Sequence, residues 1–129
     1  VAITDHGNMM GAFHFVKEVG NFNRSVKAKN EVSIANNEPA TAKELKAIVG
    51  CEFFVCEDHQ DKTRKDNGYQ IVILAKNKNG YHNLAKMASL AYTEGFYYLP
   101  RIDREIMKKY KEDLIRLTGN LNGEVPGKI

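Results

Sequence analysis

YQIVILAKNKNGYHNLAKMASLAYTEGFYYLPRID, residues 69–103, carries the pattern on which the fold turns. Tyr69 to Ala75 is a short apolar run with β-branched residues, the form of a strand covered on both faces. Asn77 to Gly80 punctuates its exit, and Tyr81, Leu84, Ala85, Ala88 and Tyr92 then recur along one side of a helix over 81–92. Gly95 ends that helix. Pro100 keeps Leu99 out of helical backbone, so Phe96 to Pro100 is an aromatic connector. Asp103 is placed to cap a short helix over 104–110.

The same alternation extends in both directions. Downstream, Leu114 to Thr118 reads as a strand. Upstream, IVGCEFFVC at 48–56 is an apolar run interrupted by Glu52, and residues 1–4 form a short strand of the same unalternating type. Met9, Ala12, Phe13, Val16 and Val19 predict a helix stopped by Gly20-Asn21, and Ala42, Leu45 and Ala47-Ile48 suit a second, shorter one. The polar stretches 21–38 and 57–68 read as loops or insertions. Strands and helices alternate without a hairpin signature, which predicts β/α units in a parallel sheet or barrel, as a single domain over 1–129.

Composition narrows the functions. At 129 residues the chain can enclose one core, and both ends read as cut inside a larger unit. Nineteen basic against sixteen acidic residues leave +3, a mild bias that does not define a nucleic-acid track. Cys51 and Cys56 stand five apart on a strand, hence on opposite faces, which predicts two reduced, buried thiols in a cytoplasmic protein. No secretory leader and no apolar run of about 18 residues is present, so no membrane partner is expected.

Polar residues that end strands converge on one rim in a parallel α/β fold. Asp5-His6, Glu52, Gln70 and Asn120 meet this criterion, with Gln70 awkward because it begins its apolar run. Asp5 and His6 carry metal-ligand chemistry, yet an Asp at such a turn equally serves to accept backbone N–H bonds. Glu52 is either a satisfied buried partner, a ligand, or an edge acid facing water. Tyr97, Tyr98 and Arg101 could stack on bases and hold phosphate, or pack a connector against its own domain.

TDHGNMMGA (4–12), IVGCEFFV (48–55), residues 69–103 and LIRLTGNLNGEVP (114–126) together resemble the polymerase-and-histidinol-phosphatase (PHP) domain, in the branch at the amino end of bacterial DNA polymerase III alpha subunits. The resemblance implies a partial, distorted (β/α)7 TIM-like barrel, here lacking its first strand and its C-terminal units. It implies a metal cleft holding zinc or manganese in intact members, where 3′–5′ exonuclease or phosphoesterase chemistry occurs. Asp5, His6 and Glu52 match metal-ligand positions, while Gln70 and Asn120 stand where intact members carry His and Cys. Further His-x-His and Asp-x-His motifs would lie before Val1 and after Ile129. Amide oxygens coordinate transition metals poorly, so the expectation is a degenerate metal site in a structural portion of a polymerase subunit. No catalytic residue is assigned, and the nucleotidyltransferase activity of DNA-directed DNA synthesis, with its magnesium, belongs to the parent chain. Implied partners are the rest of the alpha subunit, DNA through that parent, and other replisome subunits. The alternative is an exonuclease or phosphoesterase domain active in the full-length chain.

Overall fold

The computed structural model describes residues 1–126, which divide into two compact units. The first comprises Val1 and residues 11–47, and the second comprises residues 2–10 with everything from Ile48 onward.

In the first unit, helix α1 runs Ala12–Ala35. This corrects two expectations: a helix over 9–19, and a loop over 21–38. The helix continues because its polar residues are put to use. Asn23 donates to the Leu45 carbonyl and accepts from the Leu45 amide, both at 2.8 Å. Asn30 does the same to Ala42, at 2.9 and 3.2 Å. Val19 and Val26, seven apart, supply the buried stripe. The segment around 42–47 is therefore irregular rather than helical, with the backbone groups of Ala42 and Leu45 bonded to these side chains.

The second unit is a five-stranded sheet with two helices. Strand β1 (Ala2–His6) pairs parallel with β2 (Ile48–Val55), from Ala2↔Ile48 to His6↔Glu52. Strand β3 (Tyr69–Ala75) is antiparallel to β2, with Phe54↔Gln70 and Glu52↔Val72 in register. Strand β4 (Arg101–Ile102) extends the β1 side of β2 by pairing parallel with Phe54 and Val55. Strand β5 (Leu114–Leu117) is antiparallel to β3. The sheet is thus mixed and open. It does not close into the expected barrel, and the expected parallel order fails because residues 56–68 reverse the chain without a crossover helix. That stretch is a loop, as the sequence indicates.

Helix α2 (Lys78–Thr93) begins at Asn77, whose side chain accepts the Gly80 amide at 3.0 Å. It sets Leu84, Met87 and Ala91 against Cys51, Phe53 and Ile73 of the sheet. Helix α3 (Arg104–Lys109) adds Ile106 and Met107 to that core, its N-terminus capped by Asp103 on the Ile106 amide at 3.0 Å. Among the described residues no helix is long and apolar enough to cross a membrane.

Candidate functional site: a strand-end rim and a buried clamp

Strand alternation decides which rim residues can meet. His6 and Glu52 are register partners, and their side chains converge, Nδ1 to Oε2 at 3.2 Å. Asp5 is instead the partner of Cys51, a core residue, so it stands on the opposite face from its neighbour His6. Burial, then the charges of Asp5 and Glu52, push the Cys51 thiol up to about 12. The turn after His6 is fixed by its own bonds. Gly7 donates to the Glu52 carbonyl at 2.7 Å, and Asn8 bonds the His6 carbonyl through Nδ2 while its Oδ1 accepts the Met10 amide.

Gln70 lies on the same sheet face as Glu52, diagonal to it across β2 and β3. Its Oε1 accepts from Asn120 Nδ2 at 2.8 Å. The sequence-predicted residues therefore separate into a His6–Glu52 pair, a Gln70–Asn120 pair, and Asp5 on the other face. Within this chain the rim thus brings two ligating side chains, His6 and Glu52, to one point, whereas zinc in a closed site takes four N, S or carboxylate donors.

Among the described residues, one group of three ligating side chains does converge: Asp58, His59 and Asp103 offer atoms within 4.8 Å of one another. His59 lies in the charged 57–68 loop and is nonetheless buried. Its Nδ1 meets Asp103 Oδ2 in a short contact, and its Nε2 lies 3.3 Å from Glu94 Oε2. The same Asp103 oxygen accepts the His59 amide at 3.3 Å. Burial pushes the Asp103 carboxyl up, but the Ile106 amide and the ring, amide and charge of His59 outweigh it and hold the group below its ordinary value.

Beside this cluster lies Arg101, fully buried. Its guanidinium donates to four carbonyls: Gly95 at 2.9 Å, Asp66 at 2.9 Å, His59 at 3.2 Å and Asp61 at 3.0 Å. Three of these belong to the 57–68 loop. Of the two roles the sequence leaves open for Arg101, phosphate contact or packing within its own domain, these internal bonds fit the second. Arg101 fastens the loop to β4, with the Tyr97 ring 5.5 Å from its carbon. Tyr98 is exposed, at a positive φ of 64°, with Lys65 Nζ 5.0 Å from its ring centroid.

Outside the carboxyl ends of β2 and β4 opens a cleft of about 610 Å³, bordered by Arg64, Lys65, Arg104, Glu57, Asp66 and Glu124. Arg64 pairs with Glu57, and Arg104 with Glu124, so neither arginine is offered unpaired to an anion.

A mixed sheet with these strand-end motifs defines the class: the PHP domain matches residues 1–128, and the chain belongs to that family. Its relatives include proteins named DNA polymerase III subunit alpha from Thermus aquaticus (40% identical over 131 residues), Treponema pallidum (38% over 130) and Chlamydia pneumoniae (36% over 129). These alignments take in 98%, 98% and 97% of this chain but 9% of each relative, so the chain corresponds to a small portion of much longer proteins.

Proposed function

We propose that this chain is the PHP portion of a bacterial DNA polymerase III alpha subunit and serves there as a structural module with a reduced metal rim. The parent chain would carry out DNA-directed DNA synthesis during replication in the cytoplasm, using magnesium at carboxylates outside these residues. Its partners would be the remainder of the alpha subunit, DNA through that subunit, and other replisome components. The observation that carries this reading is the 2.8 Å bond between Asn120 and Gln70, which engages two rim positions with each other. With Asp5 on the far face, His6 and Glu52 are the ligands that this segment itself brings together for zinc or manganese, and a pair alone holds such an ion weakly.

Calorimetric titration of the protein with zinc and with manganese tests this. The expected result is weak binding of one ion or none, and tight stoichiometric binding of two or more ions at the rim would overturn it.

A second reading, a metal-dependent 3′–5′ exonuclease or phosphoesterase in the full-length chain, draws on the His6–Glu52 contact. It requires manganese-dependent hydrolysis by the full-length protein that His6→Ala and Glu52→Gln each abolish. Hydrolysis surviving both changes would reject it.

A further inference from the structure

We infer that an amide staple, needing no ion, fastens the rim at the positions where metal ligation is expected. Gln70 and Asn120 tie the turn that follows β5 to the first residues of β3 by their own hydrogen bonds. That these two are ligand positions rests on the PHP reading above, whereas the bonds themselves do not.

Both ends of the Asn120 amide are in use. Nδ2 donates to Gln70 Oε1 at 2.8 Å, and Oδ1 accepts the Asn122 amide at 2.8 Å. The backbone repeats the attachment: the Gln70 amide donates to the Asn122 carbonyl at 3.1 Å, and Gly123 donates to the Asn120 carbonyl at 2.9 Å. Gly119 brings the two segments close enough. It has φ +82°, and a Cβ there would stand 2.5 Å from the Gln70 carbonyl oxygen, so a larger residue would push the turn away from β3.

The geometry of the pair is ill-suited to joint duty as ligands, although each amide oxygen keeps a second lone pair. An amide nitrogen donates and has no lone pair to give a cation, and the Gln70 oxygen already accepts a bond. An ion recruiting both side chains would have to break their bond and turn Asn120 over, which also releases the Asn122 amide. In return it would gain two neutral oxygens, poor donors for zinc. The arrangement is therefore self-sufficient, and the turn holds its place whether or not an ion is available.

Hydrogen exchange followed by mass spectrometry tests this on the protein in EDTA and in excess zinc. The exchange of peptides covering the Gln70 amide and residues 118–123 should be the same in both. Asn120→Ala and Gln70→Ala should each speed it by roughly 5-fold, the scale of one net hydrogen bond. Leu121→Ala, an exposed side chain in the same turn, should leave it unchanged. Unaltered exchange over 48–55 shows that each variant is folded. Faster exchange of the unsubstituted protein in EDTA, or no change in Asn120→Ala, would overturn the staple. Tight zinc binding with EDTA-insensitive exchange would overturn the reduced-rim reading and leave the staple standing.

Discussion

Replacing Arg101 by Met should be among the most damaging single changes this chain can suffer. The guanidinium satisfies four carbonyls, of which those of Gly95 and His59 are bonded in buried surroundings and those of Asp66 and Asp61 in partly buried ones. Water can reach the latter two, so the buried pair sets the scale: about 1–3 kcal/mol for each acceptor left unsatisfied. Met refills much of the volume and removes a desolvated charge, a relief that offsets part of the loss. A net destabilisation of about 3–4 kcal/mol is expected, a large share of the roughly 5–15 kcal/mol that holds a typical domain together. Lys at this position keeps the charge but has three donors and no planar fork, so about 2 kcal/mol should be lost. Urea unfolding at pH 7, followed by circular dichroism, measures both, and limited proteolysis should show the 57–68 loop opening first. An Arg101→Met protein within about 1 kcal/mol of the parent would refute the reasoning, because it would mean that the buried carbonyls find other donors.

Two further perturbations follow from the titrating groups. The Asp103 carboxyl is held below its ordinary value in the fold, so the native state binds fewer protons than the unfolded chain between the two values. The stability this supplies is complete above the ordinary carboxylate range, near pH ~4, and is lost as pH falls through the lowered native value. Asp103→Asn should flatten that acid limb in urea midpoints taken from pH 2 to 5, and an unchanged limb would count against the His59–Asp103 geometry. Burial raises both thiols, that of Cys51 to about 12, so neither should react with a thiol reagent at pH 8 until the protein unfolds. Rapid labelling of the native protein would contradict the burial of both.

Much of the second unit was legible because its residues act locally. The apolar runs 48–55 and 69–75 and the Asp103 cap of α3 each announce themselves within a few positions, whereas Asn77, read as punctuation after β3, caps a helix that starts three residues before the expected 81. The later half of α1 did not, since Asn23 and Asn30 look like loop residues until the backbone of Leu45 and Ala42 is placed beside them. Strand β4 is two residues long and exists through its pairing with Phe54 and Val55, which no periodicity can show. The site was legible in the same measure. His6 and Glu52 meet as strand ends should, but the opposite facing of Asp5 depends on the strand continuing through His6. For Arg101 the sequence left two roles open, phosphate contact or packing of its own domain, and its four internal bonds fit the second. The signal available was Arg101 itself, a charged residue set between Pro100 and Ile102 in an otherwise apolar connector.

Strand β2 is bordered by three others: β3 along one side, and β1 and β4 end to end along the other. Its eight residues are thereby read against partners drawn from nearly opposite ends of the described chain. A slip of one residue would exchange its two faces, driving Glu52 into the place of Phe53 and Phe53 outward. It would also have to break three pairings together, since no single neighbour could move with β2 and keep the others. The alignment of Glu52 with His6 is thus guarded by contacts made well away from either residue, so this corner of the rim keeps its geometry independently of what it binds.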